Sequence, residues 1–560
     1  MKISAQSSRK GDDPPTHVRF QLDLSEDEND NEDNTETNVG QRLVCPLNLL
    51  EDQLVLWLRS SASDTLQEIT FDTIDDRLPN FINTMLRAFT ERNKPIKKLI
   101  LENCVSQRDQ TGSKLDASVL RQALGLCEEF HLDHEVQEPG AEQEVSFCLS
   151  ILSQITSLKV IVLSHTFCEN MPHLINILKS NSSLKEFVLC NAFSKFPKRV
   201  QKSRLKPLFH ALRHHPSLQK FTLLQSDFDA PVYKWAIREV LENQNIIGLL
   251  TDGYYSHNAT WLGRFLATNS QLREVNLPHP GFEFEYDRFS TRSAAFSLIQ
   301  GLARNSFLTS IQLFGIALHE ETALALRALI ESTEMVTKIS CGNGETSPAC
   351  LSIIVGGLAA NTSIQNFSIE AADLDLAGAQ TVADVLTHNI ALQYLSICCR
   401  SRHYFLRNRQ EGPDSIDRLQ VAIVLADGLR RNRTLKHLEL PINENTPERL
   451  APILSVLKAK QNLTLERLTF SPKQPCNHPE VQYWIRLNRC GGRKLIRDSA
   501  TLPLALWAHV LAGVARHTDL VRYFVTELPS LVDVDGTRPR CLTVEEGDED
   551  DPAKKRAKHA

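Results

Sequence analysis

The chain repeats one short pattern of apolar and variable positions between residues 66 and 470. An apolar residue is followed by two variable residues and then by apolar, variable and apolar ones, as in LTSIQL from Leu308 and LKHLEL from Leu435. The alternation predicts a β-strand, because successive side chains of a strand point to opposite faces. We find fourteen copies, and the two weakest start at Cys127 and Ile246. The copies begin at the anchors Leu66, Ile96, Cys127, Leu158, Leu184, Leu218, Ile246, Leu272, Leu308, Val336, Ile364, Leu392, Leu435 and Leu465.

Each predicted strand is followed by a segment with helical spacing of its apolar residues. Residues 321–332 illustrate this, with an apolar stripe that we assign to Ala323, Leu324, Leu326, Ala328, Leu329 and Ile330. The anchors from Leu308 to Leu392 are spaced 28 residues apart. A strand–helix unit that recurs at this period is typical of a solenoid, in which neighbouring units stack and pair their strands in parallel.

An asparagine stands three residues before most anchors. Because Asn tolerates left-handed backbone and often ends helices, we interpret it as the turn from one unit's helix to the next unit's strand. This structural role also accounts for the Asn-x-Ser/Thr sequences at four of these positions. The nine positions are Asn93, Asn181, Asn243, Asn269, Asn305, Asn361, Asn389, Asn432 and Asn462.

With this spacing and unit order, the chain resembles the ribonuclease-inhibitor class of leucine-rich-repeat proteins. The segments VQYWIRLNRCGGRKLI at 481–496 and LPLALWAHVLAGVARHTDLVRYFVTELPSLV at 502–532 are similar to the segments C-terminal to the repeats in uncharacterised diatom leucine-rich-repeat proteins. The resemblance implies an α/β fold, a curved parallel sheet inside with helices outside. It also implies Asn or Cys eight residues after each anchor. Asn443 matches, but Ala192, Pro280, Ile316, Ala372 and Arg400 do not.

The ends of the chain differ in composition from the repeats. Residues 1–40 hold ten acids and four bases, which account for the whole formal net charge of −6. We predict a disordered acidic tail at 1–44, a solenoid with a helical N-terminal cap at 45–475, a helical C-terminal cap at 476–535 and a charged disordered tail at 536–560. The run Lys554, Lys555, Arg556 and Lys558 resembles a short nuclear-import signal.

Several function classes lack their sequence signatures. We find no phosphate-binding loop, dinucleotide fingerprint, zincin helix or kinase motif, so we expect no enzyme, no cofactor and no metal. The thirteen cysteines are scattered without paired spacing, which favours thiols packed as small hydrophobes in an intracellular protein, cytoplasmic or nuclear. The longest apolar run, 504–515, is too short to span a membrane.

Three units carry long loops after their strands, at 191–206, 278–293 and 400–415. The first and third are basic with interleaved aromatic residues, a composition that can bind phosphates or single-stranded nucleic acid. The neutral body of the chain disfavours broad nucleic-acid binding, so solvated loops are the simpler interpretation.

The predicted register leaves the second, fourth and sixth residues after each anchor on the concave face. There we expect an exposed apolar patch, formed by Val160, Val162, Val188, Leu224 and Leu250, to bind a partner. The same positions include ten acids (Glu68, Asp72, Glu102, Glu129, Asp133, Glu186, Asp252, Glu274, Glu370, Glu439) against Lys98, Lys220, Lys338 and Arg467. We therefore predict a non-enzymatic protein-binding scaffold with a basic partner. The alternative is a regulator of a small GTPase, since EEGDEDD at 545–551 faintly resembles the acidic stretch of the Ran-activating family.

Overall fold

The computed structural model describes most of the repeats and little of the two ends. The described residues are 2–6, 17–21, 55, 68–72, 78–102, 115–133, 141–164, 170–190, 202–224, 228, 230–252, 256–277, 288–314, 318–342, 346–371, 374–398, 415–441, 447–470, 474–476, 478–489, 522–523 and 526. The import candidate Lys554–Lys558, the N-terminal cap predicted at 45–60 (Val55 apart) and most of the basic loops lie outside them.

The chain divides into two compact units, with the main boundary after Asp373. Unit 1 contains the strands β1 (Lys2–Gln6), β2 (His17–Gln21), β3 (Glu68–Asp72), β4 (Ile96–Glu102), β5 (Cys127–Asp133), β6 (Val160–Ser164), β7 (Glu186–Cys190), β8 (Lys220–Leu224), β9 (Gly248–Thr251), β10 (Glu274–Asn276), β11 (Ser310–Phe314), β12 (Lys338–Gly342) and β13 (Asn366–Glu370). Unit 2 contains β14 (Tyr394–Cys398), β15 (His437–Leu440), β16 (Arg467–Phe470) and β17 (Gln474–Pro475).

Helices alternate with these strands. In unit 1 they are α1 (Leu78–Arg92), α2 (Ala117–Gly125), α3 (Ala141–Leu152), α4 (Met171–Ser180), α5 (Lys202–Arg213), α6 (Ala230–Leu241), α7 (Ser256–Thr268), α8 (Arg288–Ala303), α9 (Glu320–Ser332) and α10 (Pro348–Gly356), which a 3-10 turn, Gly357–Ala359, extends. In unit 2 they are α11 (Leu376–His388), α12 (Ser415–Arg431), α13 (Pro447–Lys458) and α14 (Pro479–Arg489). Each of the fourteen predicted hexamers overlaps one of the strands β3 to β16.

Within unit 1 the strands β2 to β13 pair in parallel, each with its neighbours in the chain. In unit 2 β14, β15 and β16 do the same. An antiparallel strand lies at one edge in each unit, β1 against β2 and β17 against β16. The acidic segment 1–44, which we expected to be disordered, thus holds two strands that extend the sheet.

The helices bury one face against the sheet, as the spacing predicts. In α9 the residues Ala323, Leu326, Leu329 and Ile330 are buried. Leu324 retains 50% of its exposed surface, so including it in the buried stripe was wrong. Ala328 is exposed as well. The reason is geometric. A helix that packs on a flat sheet buries only about three to four residues in every two turns, and Leu324 and Ala328 lie outside that stripe.

The asparagines before the anchors form a ladder of hydrogen bonds between repeats. Asn361 shows the pattern: its Oδ1 accepts from the backbone N–H groups of Ser363 and Ile364, at 3.0 and 2.7 Å. Its Nδ2 donates to the carbonyl of Ile330, at 2.7 Å, in the last turn of α9, the helix of the preceding repeat. The same two-sided bonding recurs at Asn181, Asn243, Asn305, Asn432 and Asn462.

This bonding corrects our explanation of the asparagines. Among the described residues other than glycine, only Asn93 and Lys460 have left-handed backbone. Six of the asparagines instead use their side-chain amide, which accepts on one side and donates on the other. They are Asn181, Asn243, Asn305, Asn361, Asn432 and Asn462. Except at Asn181, which donates to the carbonyl of Leu158, they satisfy helix-end carbonyls of the preceding repeat that would otherwise lose their hydrogen bonds on burial.

Two residues extend the ladder beyond the pattern that we identified. His215 stands three residues before Leu218, and its Nε2 lies 2.8 Å from the carbonyl oxygen of Asn181 while its Nδ1 faces the N–H of Ser217 at 3.4 Å. Burial lowers the pKa of His215, which keeps the ring neutral for this double role. Asn488 of α14 donates to the carbonyl of Leu465 at 2.9 Å, so the first helix of the predicted C-terminal cap continues the ladder.

Helices α7 and α8 approach each other closely at two glycines. A Cβ atom on Gly301 would overlap the carbonyl oxygen of Gly263, and one on Gly263 would lie 2.5 Å from the carbonyl oxygen of Ser297. Both contacts involve backbone, which cannot rotate away as a side chain can. The spacing of this helix pair thus depends on the absence of both side chains.

We expect the protein to tolerate asparagine but not alanine in place of His215 in the ladder. His215→Asn should change the free energy of unfolding by less than about 1 kcal/mol, since it restores an acceptor and a donor. His215→Ala should lose about 2 to 3 kcal/mol, because buried backbone groups of Asn181 and Ser217 lose their partner. Urea unfolding of the full chain measures both. Equal losses in the two variants would contradict the ladder role.

Substituting Gly301 tests the close helix pair. Gly301→Ala should destabilise the protein by about 3 kcal/mol, because its methyl group would meet backbone. Gly125 at the end of α2 is the matched control, since a Cβ there meets nothing within 4 Å. Gly125→Ala should be neutral or stabilise by up to about 1 kcal/mol. Thermal melting that ranks the two variants in the opposite order would refute this account of the packing.

Candidate functional site: the open face of the sheet

The strand register places alternate side chains on the face of the sheet away from the helices, which we call the open face. In unit 1 its residues form rows that run across the strands. The first row is Glu68, Lys98, Glu129, Val160, Glu186, Lys220, Gly248, Glu274, Ser310, Lys338 and Asn366. The second row is Thr70, Ile100, His131, Val162, Val188, Thr222, Leu250, Asn276, Gln312, Ser340 and Ser368.

The alternation that we predicted from the anchors is confirmed. Ile161, Leu163, Leu223 and Leu249 are fully buried or nearly so, at 0–2% exposure. Their neighbours Val160, Val162, Leu224 and Leu250 are partly exposed on the open face. The register of β6 to β9 is therefore the predicted one, including at the weak anchor Ile246.

Two features of the predicted apolar patch differ from expectation. Val188 lies on the open face but keeps only 9% of its exposed surface, because Val162 and Thr222 stand directly beside it in the second row. The patch is also less continuous than the sequence suggested. Val160 lies in the first row between two glutamates, and Leu224 lies in a third row next to Cys190.

The apolar part of the open face is therefore centred on the second row. It runs from Ile100 through His131, Val162 and Val188 to Leu250, with Thr222 as the one hydroxyl side chain. Sequence reasoning missed Ile100 and His131, although both stand at the fourth position after an anchor. The rule that selected Val162 would have found them.

Charged side chains border this row. Lys98 lies 3.6 Å from Glu68, and Lys97 lies 3.8 Å from Glu129. Lys220 reaches Glu274 at 2.6 Å across the strand between them, which is possible because that strand carries Gly248. A Cβ on Gly248 would lie 3.0 Å from Cγ of Lys220. The bases of the first row are thus largely engaged with acids of the same row.

Glu186 stands among these charges without an ion pair among the described residues. Burial has the largest effect on the pKa of Glu186 and raises it. The charge of Lys220 lowers this pKa, and the carboxylates of Glu129 and Glu274 raise it. A half-buried carboxylate next to two others is a position where an external cation would relieve both desolvation and repulsion. Glu129, Val160 and Glu186 occupy consecutive strands of the first row.

His131 is neutral at physiological pH. Burial lowers its pKa to about 4, and the charge of Lys98 adds to the shift. The ring therefore belongs with the apolar residues of the second row. Cys127 on the same strand points the other way, into the core, and burial raises its pKa to about 12. The two residues are on opposite faces and cannot share a ligand.

Unit 2 carries a polar cluster on its own open face. Ser396 donates to Oε2 of Glu439 at 2.7 Å, and the hydroxyl of Tyr394 lies 3.4 Å from the same oxygen. His437 packs edge-on against Tyr394, with ring centroids 4.5 Å apart, and its Nε2 lies 3.1 Å from Oγ1 of Thr469. Of these residues the sequence analysis had singled out only Glu439.

The cluster does not form a nucleophilic arrangement. Ser396 is hydrogen-bonded to the carboxylate, whereas the imidazole of His437 is engaged with Thr469. Burial lowers the pKa of His437 to about 4, the charge of Arg467 lowers it further, and Glu439 opposes both. These contacts align β14, β15 and β16 in their register and give unit 2 a polar open face.

The structure describes only the ends of the basic loops. Lys202, Arg204 and Lys206, which we assigned to the loop 191–206, belong to the first turns of α5. The rest of that loop and residues 400–414 lie outside the described residues. Within the described part of the chain, no three His, Cys, Asp or Glu side chains are grouped as metal ligands would be. No described helix combines the length and hydropathy that crossing a bilayer requires.

The neutral state of His131 predicts a measurable pH dependence. Its folded pKa, about 4, lies below the ordinary 6.5, so the unfolded chain binds the proton first. Its contribution to stability is complete above about pH 6.5 and is lost as the pH falls toward 4. Between pH 7 and pH 4.5 the native chain should lose about 1 to 2 kcal/mol more of its unfolding free energy than the His131→Gln variant loses. This figure allows for solvent screening. Identical pH dependence in both proteins, which share all other titrating groups, would show that His131 is not the cause.

No family model and no curated protein matches the sequence. Among solved structures the chain is similar to a crystal structure of a TLR13–ssRNA13 complex, with 12% sequence identity and a TM-score of 0.31. The match covers 68% of this chain and 44% of that one, so the chain spans less than half the length of that protein. The described strands and helices themselves make the fold an α/β solenoid of the leucine-rich-repeat type.

Proposed function

We propose that the protein is a non-enzymatic scaffold that binds a basic protein partner on the open face of unit 1. The observation that carries the proposal is the second row from Ile100 to Leu250, an apolar strip bordered by carboxylates. A leucine-rich-repeat fold supports protein interaction in general, because stacked repeats present an extended surface of alternate strand residues. The ribonuclease-inhibitor subclass and an intracellular location remain predictions.

The apolar strip would provide the anchor for the partner. Val162 and Leu250 are partly exposed aliphatic residues of the strip, and both belong to the predicted patch. His131 adds a neutral ring to the strip. Ile100 and Val188 of the same strip are nearly buried, at 8% and 9% exposure. Exposed apolar side chains that cluster on a protein surface commonly mark an interaction site. Interface energy concentrates in a few buried contacts near the centre, and this strip is the candidate for that centre.

The surrounding carboxylates would select the charge of the partner. Glu186 lacks an ion pair among the described residues, and Glu129 has only a long one with Lys97. A partner's Lys or Arg side chain could lie along Val160 between these two glutamates, with its aliphatic stem on the apolar strip. Complementary charge of this kind favours one class of partner and rejects nucleic acid on this face.

Replacing the centre of the strip should abolish binding without unfolding the chain. We expect Val162→Lys with Leu250→Lys to weaken capture of the partner from a lysate by about 2 kcal/mol or more, since the lysines repel a basic partner and remove the anchor. The melting temperature should stay within a few degrees, because surface substitutions on a sheet usually cost about 0.5 kcal/mol each. Affinity capture with mass spectrometry, followed by titration of the purified partner, measures the effect.

The matched control lies in the same row near the other edge of unit 1. Gln312→Lys with Ser368→Lys adds the same two charges at partly exposed positions. This variant should retain the partner. If both variants lose the partner equally, the strip from Ile100 to Leu250 is not its centre. If neither does, the open face is not the binding surface.

A further inference from the structure

The helical side of unit 1 is basic from α4 to α7, opposite in charge to the acidic open face. The helices α4, α5, α6 and α7 contain eight lysines and arginines and one acid, Glu239. Six of the bases are exposed and two, Arg213 and Lys234, are half-buried. The bases are Lys179, Lys202, Arg204, Lys206, Arg213, Lys234, Arg238 and Arg264.

The concentration is greatest on α5, which has no acidic residue. Leu205, Leu208, Phe209 and Leu212 are fully buried, so the helix faces the core with aliphatic and aromatic groups only. Its remaining positions carry Lys202, Arg204 and Lys206, followed by His210 and Arg213. No aspartate or glutamate on α4 or α5 balances these charges.

From this distribution we propose that the outer surface of α5, with its neighbours α4 and α6, binds an acidic segment of a second protein partner. The surface already binds carboxylates within the chain. Arg213 lies 2.6 Å from Glu242 through one guanidinium nitrogen and 3.4 Å from Glu239 through the other. Arginine and carboxylate form directional pairs of this kind. Arg204 and Lys206, about two turns or more from Arg213 along α5, have no acid on their own helix.

Other anionic partners fit this surface less well. Single-stranded nucleic acid is commonly held by aromatic rings on which bases stack. The ring of Trp235 is covered by the ammonium of Lys202 at 4.9 Å, and its Nε1 donates to Glu239 at 3.0 Å. Trp261 on α7 stacks on Phe265 of the same helix. Two of the aromatic side chains on these helices are thus engaged within the chain.

An anionic membrane is disfavoured for a different reason. A helix that lies in the membrane interface inserts an apolar face as well as presenting bases. The large apolar residues of α5, Leu205, Leu208, Phe209 and Leu212, are fully buried, so none of them is available for insertion. Of the three classes of anionic partner, a flexible acidic protein segment therefore fits best, because it can follow the exposed side of α5.

The test measures the binding of a fluorescein-labelled peptide of ten glutamates to the full chain. Binding is monitored by fluorescence anisotropy, at low and at physiological salt. Arg204→Glu with Lys206→Glu should weaken peptide binding about tenfold, and raised salt should weaken it in the native chain as well. The matched control, Arg121→Glu with Arg304→Glu, makes the same charge change at exposed positions near other helices. It should stay within about twofold of the native chain.

Three outcomes would overturn the proposal. One is equal weakening in the control variant, which would indicate a response to net charge alone. Another is tighter binding of a ten-nucleotide oligouridylate, or of phosphatidylserine vesicles, than of the peptide. The third is a marked gain in peptide affinity when Glu26, Asp27, Glu28 and Asp30 are changed to their amides, since the chain's own acidic segment would then occupy the surface. Thermal melting of each variant verifies that it is folded.

Discussion

The stacking of repeats depends on how the turn between a helix and the next strand is buried. Each turn leaves carbonyls at the end of a helix and N–H groups at the start of a strand, and stacking removes both from water. A buried amide side chain satisfies the two sets at once, since its oxygen accepts within the turn and its nitrogen donates to the preceding repeat. Asn361, Asn432 and Asn462 do this with almost the same geometry. An apolar residue of similar size could fill the space but would leave these groups unpaired.

His215 shows that the requirement is chemical rather than a matter of residue type. A neutral imidazole also has one donor and one acceptor nitrogen, and its ring reaches the carbonyl of Asn181 where an amide would otherwise lie. The exchange has a cost, because the role exists only for the neutral ring. The depressed pKa of His215 follows from this burial. A repeat with histidine in the ladder is therefore more sensitive to acid than a repeat with asparagine.

The same repeat geometry separates charge between the two sides of unit 1. Positions two and four after the anchors collect carboxylates and a strip of apolar side chains on the open face. The outer sides of α4 to α7 collect bases. Each repeat contributes a strand to one side and a helix to the other. The separation of charge therefore depends on the residues at two sets of positions in the repeat, those on the open face of the strand and those on the outer side of the helix. Two such surfaces would allow the two proposed partners, of opposite charge, to bind without competing for one site.

The sequence by itself determined the periodic part of this protein. The anchors fix which residues of each strand enter the core, because a shift of one residue would place charges such as Lys220 and Glu186 inside. For that reason the register, the order of strands and helices and the face on which each residue of β6 to β9 lies followed from the pattern alone. Charged residues of the first row, such as Glu129, Glu186 and Lys220, also lie in the strand register that the pattern assigned to them.

Only the tertiary structure decided what depends on contacts between repeats. The ladder required knowing that Asn361 and Ile330, 31 residues apart, lie within hydrogen-bonding distance. The burial of Val188 depends on which side chains stand beside it in adjacent strands, and the pairing of Lys220 with Glu274 depends on the glycine between them. Tyr394, His437 and Glu439 become a cluster only when their strands are aligned. Periodicity specifies the face on which a side chain lies, whereas its neighbours in other repeats, and therefore its exposure and ionisation, are set by packing.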